Sequence, residues 1–272
     1  MVFLYIAAAV AALVLLYLLA ITPALKQNKT LKKLGVTRFA HRGLHGDSIP
    51  ENSLSAFLNA VKAGVGIELD VQLTADDVPV IMHDGNTKRT TNEEHKISKI
   101  TAKQFASLKL ANGEAPPTLK SALKAIDGKV PLLIELKPDG MRYKKLCKET
   151  FSLLKGYSGT FIAESFDPRV LLWLRIHRPK IARGQLAANE LPMPRPIVFL
   201  LKNLVFNFLA KPHFVAYEHG YIDKNIAPRI MKKLFKETML AWTVTDEKTD
   251  SELTEHGITT IFENYLPPKT GG

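Results

Sequence analysis

Glu68 and Asp70 stand two residues apart in the run Ile67-Glu68-Leu69-Asp70-Val71, and this alternation constrains the chain more than any other feature. In a strand, residues i and i+2 share a face, so both carboxylates point one way while Ile67, Leu69 and Val71 pack behind them. Two carboxylates that close repel each other unless positive charge sits between them, and a hard divalent cation held through oxygens is the natural neutraliser. The following turn, Ala75-Asp76-Asp77, is too short for a parallel crossover and predicts a hairpin. With Asp76-Asp77 as its two-residue tip, Ala75 opposes Val78 and Asp70 opposes His83, which brings His83 beside the carboxylate pair.

The device recurs. Residues 131–137 (PLLIELK) form an apolar strand with Glu135 and Lys137 on one face. Charges inside a strand are costly unless paired or ligated. A third such carboxylate argues against reading Glu68 and Asp70 as a solvated strand face with His83 as an ordinary satisfied histidine. His41-Arg42-Gly43 closes another β-like segment, after Phe39-Ala40, and adds a second histidine and a fixed positive charge.

In order along the chain come HRG at 41–43, ENS at 51–53, ELD at 68–70, VIMHD at 80–84, RTT at 89–91, PTL at 117–119 and IELKP at 134–138. This series resembles the glycerophosphodiester phosphodiesterase family, a TIM-barrel group within the phospholipase-C-like phosphodiesterases. The likeness is dense from Phe39 to Pro138. It continues more loosely through Ser165-Phe166-Asp167, Gly184-Gln185-Leu186 and Trp242-Thr243-Val244. It implies metal-dependent hydrolysis of glycerophosphodiesters to an alcohol and glycerol 3-phosphate, with calcium or magnesium as the ion. On this reading Glu68, Asp70 and Glu135 hold the ion, and Arg42 and Lys137 face the phosphoryl oxygens. His41 and His83 are the general acid and base, in an order that sequence leaves open. Glu51 is either a further substrate-site residue or part of an ordinary helix start. Trp242 either lines the pocket or packs in the core. The family has a Thr-Asp pair after its last strand, where this chain has Phe262-Glu263-Asn264.

The remaining pattern fits the same barrel. Strand-like pieces at 38–41, 130–137, 161–165, 181–186, 214–217, 240–244 and 259–262, with the 68–83 hairpin as one position, make eight. Helical spacing falls between most of them, at 53–63, 119–126 and 142–155 among others. Strands alternating with helices predict a parallel sheet, and eight strands predict a closed (β/α)8 barrel with its site at the strands' C-terminal ends. Residues 85–117, polar and with a helix at 101–108, break that rhythm. The resemblance makes them an insertion that shapes the substrate entrance. The barrel domain is placed at 38–268.

Residues 2–25 are almost wholly apolar and uncharged, enough to cross a bilayer as one helix. A cleaved signal peptide would have a positive start and a shorter apolar core. Here lysines follow the segment, at 26, 29, 32 and 33, in a basic linker over 26–37 that either tethers the barrel or binds anionic headgroups. That bias predicts a single-pass anchor with the catalytic domain in the cytoplasm. Residues 192–212 predict an apolar helix of some 15 residues, either a barrel helix or an interfacial one lying on the same membrane.

The net charge of +11 over 272 residues suggests an anionic partner. The lysines are scattered without a stacking motif, which disfavours nucleic acid and favours anionic lipid or phosphodiester. Cys147 is the sole cysteine, which excludes an intrachain disulfide, and its helical setting reads as structural. His45, His95, His177, His213, His219 and His256 match no motif and read as surface or packing residues. With an anchor, lysophospholipids become credible substrates for a lysophospholipase D-like activity. The alternatives are a phospholipase-C-like or sphingomyelinase-D-like enzyme, or a non-catalytic barrel scaffold. Oligomeric state is not legible.

Overall fold

The computed structural model describes residues 1–26 and 28–268, without the side chain of Lys32. Gln27 of the basic linker and the polar tail from 269 onward therefore lie outside the described residues. The chain begins with α1 (Val2–Ile21), ended by Pro23, and a short α2 (Lys29–Lys32). Eight parallel strands follow: β1 (Arg38–Ala40), β2 (Gly66–Leu73), β4 (Leu132–Leu136), β5 (Phe161–Ser165), β6 (Arg183–Ala187), β7 (Phe214–Glu218), β8 (Thr238–Val244) and β9 (Thr259–Phe262). They pair in chain order, and β1 pairs with both β9 and β2, so the sheet closes. The TIM barrel read from the alternation is present.

The outer layer follows from helical spacing and caps. α3 (Leu54–Ala63) starts at Ser53, whose side chain accepts from Ala56 N, and stops at Gly64 in the left-handed region. Around the barrel run α6 (Leu119–Ile126), α7 (Tyr143–Leu154), α8 (Pro168–His177), α11 (Ile226–Ile230) and α12 (Glu247–Glu255). Cys147 is buried in α7, where burial pushes its thiol up to about 12.

Inside the barrel, the ends differ. Leu133, Ile162, Phe39, Phe214 and Leu240 form an apolar cluster, and Leu31 and Val36 of the linker pack against it. The linker thus plugs the N-terminal end of the barrel. Glycines make room there: a Cβ on Gly184 would fall 2.0 Å from the Phe214 ring, and one on Gly66 would fall 2.6 Å from Phe39. Acidic residues occupy the other end, with Asp70, Glu135 and Glu164 side by side in register across β2, β4 and β5.

Two local expectations need correction. In the hairpin, β3 (Pro79–Ile81) pairs with β2 as Val71 to Ile81 and Leu73 to Pro79, one residue away from the expected register. The loop is Ala75-Asp76-Asp77 with Asp77 at φ 65°, closed by Thr74 N donating to Val78 O at 3.1 Å. A three-residue loop with a left-handed last residue replaces the two-residue tip. His83 lies beyond the ladder and reaches the site from the turn after β3. The second correction concerns residues 192–212. They form two pieces, α9 (Arg195–Lys202) and α10 (Asn207–Ala210), with Leu204 left-handed at φ 56° between them.

The insertion is ordered, with α4 (Lys88–Thr91) and α5 (Ala102–Ser107), the latter opened by a Thr101/Gln104 capping box. Its own small core joins Ile97, Phe105 and Leu108 to Val80 and Met82. It sits beside the mouth, where Lys96 and Ser98 share a cleft of about 210 Å³ with His83 and Lys137.

Candidate active site

The site is built outward from β1. The chain turns there on Arg42 and Gly43, both left-handed, at φ 55° and 81°. Only glycine fits at 43, since a Cβ would meet Ala56 Cβ and the Phe57 ring at 2.9 Å. The turn brings Arg42 N to donate to Glu68 Oε2 at 2.8 Å. Its side chain donates through Nη1 to Glu51 Oε1 at 2.9 Å and places Nε 3.7 Å from Asp70 Oδ2. Asn52, left-handed and buried, donates from Nδ2 to Asp70 Oδ2 at 2.8 Å.

Glu68, Asp70 and Glu135 are brought together as the alternation required. Each is buried and offers an oxygen within 4.8 Å of the others. Their electrostatics show what the cluster lacks. Burial first, then the facing Asp70 and Glu135, pushes Glu68 well above the usual carboxylate range. Burial pushes Glu135 up to about 7, although Lys137 opposes it. For Asp70 burial is outweighed by Lys137, His83, Arg42 and the Asn52 hydrogen bond, which hold it far below the usual range. Lys137 Nζ stands 2.8 Å from Glu135 Oε1 and 3.1 Å from Asp70 Oδ1. One lysine and one arginine leave this cluster short of positive charge. A divalent cation would supply it, and an all-oxygen donor set fits calcium or magnesium.

Both expected histidines line the cavity over this cluster, a space of about 100 Å³. Each has Nδ1 engaged by a carboxylate. Nδ1 of His83 lies 2.8 Å from Asp84 Oδ1, and Nδ1 of His41 lies 2.7 Å from Glu263 Oε2. An ionised carboxylate only accepts, so each ring holds its proton on Nδ1 and keeps Nε2 for chemistry. Burial, with the Lys137 and Arg42 charges, lowers His83 below its ordinary value despite the nearby Asp70. The His41 and His45 hydrogen bonds hold Glu263 far below the carboxylate range.

Glu51 is engaged by arginines. Arg89 of α4 donates Nη1 to Glu51 Oε2 at 2.6 Å and Nε to Asp84 Oδ2 at 2.6 Å. One chain of contacts therefore runs His83–Asp84–Arg89–Glu51–Arg42–Asp70. Trp242 lines the cavity edge-on to Phe166, with centroids 5.7 Å apart, and its buried Nε1 has no partner among the described residues.

Four residues escaped the reading of the sequence. Glu263 was noted only as a departure from a family pair. His45, read as surface or packing, places Nε2 3.7 Å from Glu263 Oε2. Arg89 was read only as part of RTT. Glu164, raised well above the usual range by burial and then by Glu135 and Asp70, lines the cavity floor. Its signal was available, as a charge inside the apolar strand FIAES.

Two imidazoles oriented by carboxylates, above an acidic floor fit to hold a divalent cation, are the equipment of a phosphodiesterase on a TIM barrel. The chain belongs to the glycerophosphoryl diester phosphodiesterase family, whose pattern it matches over residues 41–266. The glycerophosphodiester phosphodiesterase of Caldanaerobacter subterraneus is 34% identical over 226 residues, covering 78% of this chain and 87% of that one. The Bacillus subtilis protein YhdW is 31% identical over 236 residues, covering 83% and 93%. Among solved structures, a phosphodiesterase of Oleispira antarctica, in complex with its product sn-glycerol-3-phosphate, superposes with a TM-score of 0.72 at 25% identity, covering 87% and 96%. The chain is accordingly a phosphoric diester hydrolase.

Proposed function

We propose that this enzyme is a membrane-anchored, metal-dependent phosphodiesterase that cuts glycerophosphodiesters into an alcohol and glycerol 3-phosphate, lysophospholipids among them. The observation that carries the chemistry is the pair of Nδ1-anchored histidines above the Glu68–Asp70–Glu135 cluster. A divalent ion held by those three carboxylates would supply charge neutralisation at the phosphate. Arg42 and Lys137 add fixed positive charge to the phosphoryl oxygens. His83, held neutral, accepts a proton at Nε2 from the attacking water. His41, oriented by the ionised Glu263 at its Nδ1, is the general acid that donates from Nε2 to the leaving alcohol. Glu51 and Arg89 hold Arg42 and Asp84 in place, and Trp242 with Phe166 walls the substrate side.

The anchor has its own support. α1 is 20 residues long with a mean hydropathy of 2.7, and its first fifteen positions are exposed. Its C-terminal carbonyls are capped by the folded domain: Asn207 Nδ2 donates to Ile21 O at 3.2 Å and Lys211 Nζ to Thr22 O at 3.0 Å. Contacts that build the helix into the fold favour a retained anchor over a discarded signal peptide. The lysines that follow it in sequence favour a cytoplasmic barrel.

The test is choline release by the full chain, in detergent, from glycerophosphocholine and from lysophosphatidylcholine. Release that EDTA abolishes, that calcium or magnesium restores, and that His41→Ala lowers by at least about 10²-fold is expected. Release that survives EDTA would overturn the metal dependence. Activity on glycerophosphocholine alone would overturn the lipid substrate.

A further inference from the structure

The course of α1 relative to the barrel is set by four contacts. Ala24 N donates to Pro212 O at 2.8 Å, just below the first residue of β7. Lys211 Nζ reaches Thr22 O, Asn207 Nδ2 reaches Ile21 O, and Tyr17 Oη donates to Asn203 O at 3.2 Å. From residue 24 to residue 17 the chain therefore climbs beside the segment from 212 to 203, the two running parallel. That segment ends level with the strands' C-terminal ends, because Tyr217 Oη, one residue from the end of β7, donates to Lys202 O at 2.9 Å. Tyr17 stands at the height of the catalytic mouth. Beyond it, every residue from 1 to 16 is exposed, so the rest of the helix projects past that face.

Length then decides where a bilayer must lie. The free part, residues 2–16, rises about 22 Å at 1.5 Å per residue. A hydrocarbon core is about 30 Å thick, which takes all twenty residues of α1. The docked turn from Tyr17 to Ile21 has to enter the bilayer boundary as well, and Tyr17 is the kind of residue found there. Whatever packs beside that turn at the same height meets lipid. The segment leading into Asn203 does: Met193, just before α9, and Ile197 and Phe199 on it are exposed by 42%, 42% and 59%, with Arg195 and Lys202 alongside, and Asn203, which ends α9, accepts from Tyr17 Oη. Scattered apolar residues on a surface need no explanation, but these lie on the segment that Asn203 joins to Tyr17, where the exposed apolar part of α1 begins.

We infer that the catalytic mouth is seated on the bilayer that α1 crosses, with Met193, Ile197 and Phe199 immersed in the headgroup–acyl boundary. A diester lying in the membrane surface then reaches His41 and His83 without leaving the lipid. Lys26, which lines a cleft with His213 and Thr238 at the start of β7 and β8, sits at the opposite end of the barrel, away from the headgroups. This orientation rests on reading α1 as a membrane anchor.

The test uses the full chain in Cys147→Ala background, reconstituted in vesicles of phosphatidylcholine and phosphatidylglycerol. Single cysteines Val10→Cys, Ile197→Cys, Phe199→Cys and Lys129→Cys carry an environment-sensitive fluorophore. Lipid-borne quenchers should reach the labels at 10, 197 and 199, and aqueous iodide only the label at 129. Lipid quenching at 10 with iodide quenching at 197 and 199 would overturn the seating and leave the anchor standing. Iodide access at 10 would overturn the anchor and the seating together. Labels at 197 and 199 shielded from both quenchers would point to a second copy or another protein on α9, and would also overturn it. Independently, Phe199→Asp should lower turnover of vesicle-borne lysophosphatidylcholine about tenfold and leave that of soluble glycerophosphocholine unchanged. An equal loss on both, or on neither, contradicts the seating.

Discussion

Glu263 Oε2 lies 2.7 Å from Nδ1 of His41, and the two residues directly follow the neighbouring strands that close the barrel, β9 and β1. The contact orients the ring and decides which nitrogen carries the proton. An amide in place of the carboxylate can donate to Nδ1 and drive the imidazole into the wrong tautomer. Glu263→Gln is therefore expected to lower kcat about 10²-fold with little change in KM, and Glu263→Asp to recover part of the loss. Steady-state rates on glycerophosphocholine across pH 5–9 check this. A residue that only supported the fold would lower melting temperature and KM-dependent rates together, leaving the shape of the pH profile intact.

If His41 is the proton donor, its loss hurts in proportion to the basicity of the leaving group. His41→Ala should cost about 10²–10⁴-fold with a choline ester and far less with a p-nitrophenyl leaving group, while His83→Ala should cost similar factors with both. Equal losses for His41→Ala on the two substrates would reverse or remove the assignment. The comparison needs only kcat/KM for two substrates and two variants.

The three-carboxylate floor predicts a stability effect that does not depend on turnover. Calcium or magnesium binding only the folded chain should raise its stability by about 2.7 kcal/mol at a hundredfold excess over Kd. For a chain of this size each kcal/mol moves Tm by about 2–4 °C. Glu68→Gln removes one ligand and should abolish most of that shift. Thermal melts with and without the ions, on the wild type and Glu68→Gln, measure it directly.

How far the sequence reaches can be judged residue by residue. Glu68, Asp70 and Glu135 were legible because alternation is a local rule, which puts charges on one face of otherwise apolar runs. The spans Phe161–Ser165 and Thr259–Phe262 match their expected limits for the same reason. The hairpin register was misread because Asp76-Asp77 resembles a two-residue tip, and nothing local reports that Asp77 alone is left-handed. The break at Leu204 is invisible for a related reason: apolar spacing continues across it while the backbone does not. Glu263 meets His41 and His45 only because the barrel closes β9 on β1, a relation between residues over two hundred positions apart. Pairing of that range is a property of topology, and a single chain of letters does not display it.

The inner packing gives a sharp test of closure. Gly184 lies under Phe214, and any Cβ there would fall 2.0 Å from the ring. The ring fills the barrel's apolar end and cannot move without disturbing Leu133, Ile162 and Leu240. Gly184→Ala should therefore destabilise by at least about 1–3 kcal/mol, in the range of overpacked cores. Chemical denaturation monitored by Trp fluorescence reads this. Gly85→Ala, where a Cβ meets nothing within 4 Å, is the neutral control.

Glu237 sets a pH dependence of stability away from the site. It lines the cleft between residues 23–31 and the start of β8, where burial pushes its carboxyl up to about 8. In an unfolded chain the same group ionises near 4.3. Between those values the folded state holds a proton that the unfolded state has released, so stability falls as pH rises from about 4.5 towards 8. Glu237→Gln keeps a neutral side chain at every pH and removes that contribution. Its Tm should match the wild type near pH 4.5 and exceed it by several degrees at pH 8.5. Parallel Tm curves for the two proteins across that range would show that Glu237 ionises freely in the folded state.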